Sequence, residues 1–482
     1  MTKTLALLSL VLATLCPLAT GQPQPAAPES RQRLLVLTDI ENEPDDTESM
    51  VRLMLYSDVI DIEGLVATTS THLRGEVNPE SIRSVIRAYG QVRPNLLKHD
   101  PAFPSAESLL AVVKQGLPVY GMQGVGETKD SEGSDWIIRT LKSDDPRPLW
   151  ISVWGGSNTL AQALFKLRAT ETPDELRRLV AKLRVYTISD QDDTGAWMRK
   201  TFPDLFYIVS PGGYGAATWT GMNSAVPGLD NESVSNGWIA RNIQQGHGPL
   251  GAKYPDVGYG MEGDTPSWLG LIPNGLDVPE HPDFGGWGGR YELRIPDIAE
   301  TDPTGFNGKV PIEQETRPIW TNSVDEYAPP AAFPHGSATR ASDKTFKDYR
   351  ATIYRWRDEF QNDFAARMQW CTQPYAGANH PPVPVLAHPE TLTVKSGAFF
   401  SLDARASSDP DGDSLGFYWF VYPEATGTHN PPKIDSAANL GRVYLRAPVV
   451  TAPEIAHVIL RLTDKGNPSL TRYKRVIVTV TP

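Results

Sequence analysis

Six carboxylates crowd into ten residues: Asp39, Glu41, Glu43, Asp45, Asp46 and Glu48. They follow at once on the apolar run Leu34–Leu37, which reads as a buried strand. Anions packed at such a strand end repel one another, and a hard cation with oxygen ligands is the simplest way to hold them together. The carboxyl ends of strands are also where open α/β sheets bind ligands. One or two acids there would only complement the dipole of the following helix. Six favour a metal or a catalytic use.

Other candidates stand at the ends of other apolar runs. His72 closes the polar run Thr68–His72, as a substrate contact or as a hydrogen-bonded structural imidazole. Gly155-Gly156-Ser157-Asn158 follows the apolar stretch Leu149–Trp154. Its glycines let the backbone approach a ligand closely, and a carbonyl of the turn can coordinate a hard cation. Ser157 or Asn158 can equally cap the next helix. Asp190, Asp192 and Asp193 end another run, where Asp is also an ordinary loop residue. Asp264 stands just ahead of a helix-like apolar segment ending at Ile272. Trp287, set among four glycines before Arg290, suits an exposed sugar platform or a buried anchor for a long loop.

The elements that must position these groups follow from the pattern. Leu34–Leu37, a helical period through Met50, Leu53 and Met54, then Ile62–Ala67 form a βαβ unit with a parallel sheet. Helices are expected at Pro79–Tyr89, at Ala106–Lys114 and after Ser157, with a long one over Thr345–Met368. Gly121–Asp135 is a glycine-rich acidic loop without the Lys-Ser or Lys-Thr of a phosphate-binding loop. Asn379–Val385 reads as a proline-rich linker. Beyond it, short strand-like runs at Thr391, Phe399, Gly416, Val443, Ile455 and Tyr473 suggest a β-sandwich. The acidic turn Ser408–Leu415 there could hold Ca²⁺. The expected fold is α/β, an open mostly parallel sheet flanked by helices over residues 34–378, followed by an Ig-like sandwich over 379–482.

Composition narrows the function classes. The chain of 482 residues carries a net charge of −12, which disfavours a nucleic-acid polymer as partner. Its start, Met1-Thr2-Lys3 followed by an apolar run to Leu18 and then small residues, reads as a secretory signal peptide over 1–21, with a disordered stretch over 22–33. No second apolar run is long enough to span a membrane. The expected location is therefore extracellular or periplasmic. Cys16 would leave with the signal, and Cys371 reads as a buried small hydrophobe. Twelve Trp suit sugar stacking as well as core packing.

At Leu34–Ser49 the chain resembles the nucleoside hydrolase family, whose first strand runs into an acidic Ca²⁺-binding loop. Asp39-Ile40-Glu41-Asn42-Glu43-Pro44-Asp45-Asp46 matches that loop without a gap. Gly64–His72 is similar to the family's second strand and polar turn, Ser157-Asn158 to its Thr-Asn turn, and Asp264 to its late Asp. With its appended sandwich, the whole chain resembles a secreted branch labelled cellulose-binding protein. The resemblance implies Asp46 and Asp264 as side-chain Ca²⁺ ligands and Ser157 as a carbonyl ligand. It implies Glu41 as ligand and general base, with Asp39 as the alternative base, and Asp45 as the holder of sugar hydroxyls. His72, Asn158 and Trp287 complete the expected substrate contacts. Three departures are visible: Glu41 replaces an Asp, the loop's proline-glycine pair is missing, and Gly263 stands where the family commonly carries a His.

The expected activity is hydrolysis of an N-ribosyl or O-glycosyl, furanoside-like bond in a carbohydrate or nucleoside-like small molecule. A carboxylate-bound Ca²⁺ would activate the water. The alternative is a non-catalytic binding protein for cellulose or another plant polysaccharide. Self-association is left open by the sequence.

Overall fold

Leu34–Leu37 lies within β1 (Gln32–Thr38), a strand buried along almost its whole length. Leu34 and Val36 pack into one hydrophobic layer with Met50, Leu53 and Ile86. Leu35 and Leu37 pack into another with Leu160, Leu164 and Met198. A strand covered on both faces needs apolar residues at every position, which is why the run shows no alternation. This computed structural model describes residues 31–210, 214–301, 310, 313–329, 344–428, 430–435 and 439–482. The expected signal peptide and residues 22–30 lie outside them. Gln32 and Arg33, expected to be disordered, instead start β1, and Arg33 is buried with its Nε 2.7 Å from Glu63 Oε1.

Seven further strands join β1 in one sheet: β2 (Ile60–Ala67), β3 (Val113–Gln115), β4 (Leu149–Val153), β5 (Leu183–Thr187), β6 (Phe206–Val209), β7 (Tyr291–Arg294) and β8 (Ile319–Asn322). Their order is β3-β2-β1-β4-β5-β6-β8-β7, parallel throughout except for the edge strand β7. The chain builds outward from β1 in one direction through β2 and β3, then in the other from β4. The switch point therefore lies between the carboxyl ends of β1 and β4, where such sheets bind ligands.

Helices α1 (Pro44–Met54), α2 (Pro79–Leu96), α3 (Ala106–Ala111), α4 (Glu132–Leu141), α5 (Asn158–Thr170), α6 (Pro173–Lys182) and α7 (Thr194–Thr201) accompany these strands. Three expectations need correction. The expected helix Ala106–Lys114 stops at Ala111, because Val113–Gln115 pairs with β2 as an edge strand. The loop expected to reach Asp135 ends earlier, because Ser131 and Ser134 form a reciprocal cap that starts α4. The single helix expected over Thr345–Met368 is three pieces. They are β10 (Phe346–Asp348), which pairs with β9 (Asp325–Tyr327), and helices Ala351–Tyr354 and Arg357–Trp370. Asp348 accepts from the Ala351 N–H at 2.9 Å, which turns the strand into the helix.

Residues 391–481 form two packed sheets. One contains β11 (Thr391–Lys395), β17 (Thr471–Thr481), β16 (Glu454–Thr463) and β13 (Gly416–Val421), in that order. The other contains β12 (Phe399–Asp403), β15 (Arg442–Arg446) and β14 (Lys433–Ile434). Leu402, Trp419, Leu445, Leu460 and Val478 fill the space between them. This sandwich is bolted to the α/β body. Tyr473 N donates to Asn274 O at 2.8 Å, Arg475 to the carbonyls of Leu276 and Gly285, and Tyr422 Oη to Asp325 Oδ2 at 2.6 Å. Within the connecting stretch Asn379–Val385, Asn379 and His380 are buried rather than solvated.

Candidate functional site

The sheet delivers its first acid where β1 ends. Asp39 is buried beside Gly155, at the exit of β4. A Cβ on residue 155 would lie 2.4 Å from Asp39 Oδ1, so only glycine lets the two strand ends close on each other. Pro44 opens α1 and places Asp45 and Asp46 in its first turn. The Thr38 hydroxyl donates to Asp46 Oδ1 and fixes that side chain. A fourth acid arrives from far along the chain. Arg52 of α1 pairs with Glu262, both with no exposed surface, and Tyr254 Oη and Thr265 Oγ1 also donate to Glu262 at 2.8 and 2.9 Å. Two residues on, Asp264 meets the α1 acids. Asp45, Asp46 and Asp264 each bring one carboxylate oxygen into a group spanning no more than 4.8 Å.

These carboxylates strain against their surroundings. Burial, followed by the like charges of Glu43 and Asp39, pushes Asp45 up to about 7. Burial and neighbouring carboxylates raise Asp46 and Asp264 well above the ordinary range. Burial raises Asp39 to about 6 against the opposing hydrogen bond from Ser70. Asp45 Oδ1 and Asp264 Oδ2 are buried without a hydrogen-bond partner among the described residues. Carboxyl oxygens of this kind, buried and crowded by their neighbours, are the donor set of a hard divalent cation, whose charge would favour their ionised form.

The acids line one side of a cavity of ≈ 500 Å³. Its other walls include His72, Trp154, Gln191, Tyr214, Trp219, Asn223 and Tyr259. His72 Nε2 lies 2.8 Å from Tyr214 Oη. Tyr259 stands wholly exposed at φ 60°, a left-handed conformation that non-glycine residues rarely adopt. Gly263 explains one departure from the resembled family. A Cβ there would meet Asp45 Oδ2 at 2.8 Å and Trp219 Cζ3 at 2.9 Å, so the indole fills the room a larger residue would need.

The sequence-derived candidates divide. Asp39, Asp45, Asp46, Asp264 and His72 converge on the cavity. Glu41 does not: it is exposed, with φ 82°, and is not part of the cavity wall. Ser157 belongs to a neighbouring cluster, with its carbonyl accepting from Ala161 N and its hydroxyl 2.7 Å from Thr194 Oγ1. Asn158 is bonded to Thr68, Thr69, Val119 and Asp192. It ties neighbouring loops together, with both Nδ2 hydrogens already donated. Asp190 and Asp192 are likewise structural, one paired with Arg199, the other receiving Asn158 N and Thr194 N. Trp287 is no platform. It has no exposed surface and packs edge-on against Phe360 and Tyr473, under the sandwich. Sequence reasoning missed Tyr214, Trp219 and Tyr259, which lie in irregular chain where only the generous aromatic content gave any signal.

Residues 33–291 match the family model described as cellulose-binding Sde182, nucleoside hydrolase-like domain. Residues 399–480 match that of cellulose-binding protein Sde0182, C-terminal domain. Among solved structures, a nucleoside hydrolase-related hypothetical protein from Saccharophagus degradans, associated with carbohydrate metabolism, is 34% identical. It superposes with a TM-score of 0.76 over 94% of this chain and 100% of its own. Titin domain M7 (12% identity, TM-score 0.14, 22% of this chain and 100% of that one) matches too loosely to bear on the fold. The same holds for the effector protein XOO4466 (13% identity, TM-score 0.29, 61% and 88%). No curated protein matches the chain significantly.

Proposed function

The chain belongs to the cellulose-binding Sde182 family with a nucleoside hydrolase-like domain, and from that premise we propose that it is a secreted hydrolase of glycosidic bonds in a carbohydrate, of furanoside-like or N-ribosyl type. One observation carries the reading. Three carboxylates, two of them with a buried unpartnered oxygen, converge at the wall of a sugar-sized cavity at the sheet's switch point. Asp45, Asp46 and Asp264 would hold the cation, and its size class and all-oxygen donors suit Ca²⁺. When bound, the ion supplies positive charge that acidifies an adjacent water and anchors sugar hydroxyls.

The chain's own residues supply the rest. Asp39, its pKa raised by burial to about 6, takes the proton of the attacking water at its carboxylate. The water oxygen bonds to the anomeric carbon as the bond to the leaving group breaks, and the leaving group keeps the electron pair and takes a proton from solvent. Positive charge developing on the sugar ring is stabilised by the anionic wall. His72 and Tyr214 offer hydrogen bonds to the ligand from another wall, and Trp219 and Tyr259 offer ring faces for stacking. The base is Asp39 rather than Glu41, because Asp39 lines the cavity and Glu41 faces solvent. Sugar release from a panel of furanosides, nucleosides and plant oligosaccharides, measured in Ca²⁺ and in EDTA, tests this function. Activity that is equal in both would sink it.

A second reading, polysaccharide binding without hydrolysis, has its own observation. Phe399 and Tyr444, exposed by 71% and 54%, stand on one face of the β12-β15 pair, in diagonal register. Exposed rings on a sheet face are what a polysaccharide chain stacks on. Retention on insoluble cellulose by the wild type and its loss in Phe399→Ala/Tyr444→Ala would support it. Retention unchanged by that pair of substitutions would remove it.

A further inference from the structure

The acidic turn Ser408–Leu415 is not part of the cavity, yet it has unsatisfied chemistry of its own. Asp409 Oδ1 accepts from Asp411 N at 2.9 Å and Asp413 N at 3.0 Å, which shapes the turn. Its other oxygen, Oδ2, is buried with no partner among the described residues. A second orphan stands on the connecting stretch. Asn379 is 6% exposed, and its Oδ1 has no partner among the described residues. The same amide donates through Nδ2 to both oxygens of Asp464, at 3.1 Å each, and to Pro468 O at 2.8 Å.

Asp464 is itself buried, and its Oδ1 already receives Gly466 N and Leu470 N. That leaves Oδ2 with Asn379 alone. The turn and Asn379 are held side by side. His380 N donates to Asp411 Oδ2 at 2.7 Å, and Val383 and Ser408 exchange backbone bonds. Burial, with Asp409 adding a like charge, raises the Asp464 carboxyl above its usual range. Two carboxylates and an amide oxygen thus stand on neighbouring, mutually bonded segments, and among the described residues no cationic side chain bonds to them.

We propose that Asn379 Oδ1, Asp409 Oδ2 and Asp464 Oδ2 form a second divalent-cation site of the Ca²⁺ class, independent of the cavity. Two carboxylates balance the charge of one such ion, and water completes the coordination of about 6–8 oxygens that Ca²⁺ takes. The site joins the connection leaving the α/β body to two turns of the sandwich. Its consequence is structural: the ion holds Asn379–Val385 in its buried path.

Calorimetric titration of Ca²⁺ into the EDTA-stripped full chain tests it, with Mg²⁺ in a parallel arm. Two ions are expected in the wild type and one in Asp409→Asn, which keeps Oδ1 to shape the turn and loses the anionic Oδ2. In Asp409→Asn the Ca²⁺-induced rise in Tm also shrinks. Asp264→Asn, which empties only the cavity, should still bind one ion. An Asp409→Asn chain with wild-type stoichiometry, affinity and Tm response overturns the proposal, as does a wild type that binds no ion except through Asp264. Loss in Asp409→Asn with no effect of Asp264→Asn would uphold this site and remove the cavity's.

Discussion

Residues separated by one or two positions have opposite fates here. Asp39 and Glu41 are both acids at the end of β1, yet one is buried on the cavity wall and the other is exposed. Removing the base should therefore be costly at one and silent at the other. Asp39→Asn is expected to lower kcat for sugar release by about 10²–10⁴-fold with little change in KM. Glu41→Gln should retain wild-type kcat; a comparable loss there would return the base to Glu41. Gly155 is the sharpest steric test. With a Cβ 2.4 Å from Asp39 Oδ1, Gly155→Ala must push the two strand ends apart. It is expected to cost about 1–3 kcal/mol in urea unfolding, with loss of activity. Tyr259→Ala, at a wholly exposed position, should leave the unfolding midpoint alone and raise KM.

Elements are brought together by buried polar straps rather than by helix packing alone. Arg52 joins α1 to the loop that carries Asp264, through a pair with Glu262 from which water is excluded. Beside it, burial and the Glu262 carboxylate push Glu48 up to about 9, so Glu48 stays protonated at neutral pH and adds no second charge. Arg52→Met would strand the Glu262 carboxylate in that interior. The expected loss is about 3–5 kcal/mol by chemical denaturation, and Arg52→Met/Glu262→Gln should recover much of it. A loss equal in the single and double variants would mean that packing of the Arg52 stem, not charge, holds the strap.

At the scale of the whole molecule, the sandwich is an integral buttress of the α/β body. Trp287, Trp356, Phe360, Tyr422 and Tyr473 belong to the same hydrophobic cluster as Leu34 of β1. His457, on β16, sits within this contact with its ring edge against Phe284 and Arg475 Nη1 3.0 Å from its Nδ1. Burial first, then the Arg475 charge, lowers its pKa to about 3. The unfolded imidazole titrates near 6.5. Between these values the unfolded chain binds the proton and the folded one does not, so stability falls as the pH drops from about 6.5 towards 3. His457→Gln should flatten the midpoint-against-pH curve in that window. An unchanged slope would assign acid sensitivity to other groups.

Some of this was written in the chain and some was not. The apolar run of β1, the acids after it, the βαβ repeat and the sandwich strands were legible because a parallel strand buried on two faces, an anionic loop and a half-buried strand each leave a local pattern. The breaks in Thr345–Met368 and after Ala111 were not, since β pairing overrode a helix-compatible sequence there. Trp287 became an anchor only because the sandwich covers it, and Asn158 became a lock only because the connections after three other strands bond to its side chain and backbone. Local sequence thus determined which groups carry charge and which strands present them. Which carboxylates face one another, and which rings wall the hollow between them, depended on chain hundreds of residues apart, through contacts that no local spacing encodes.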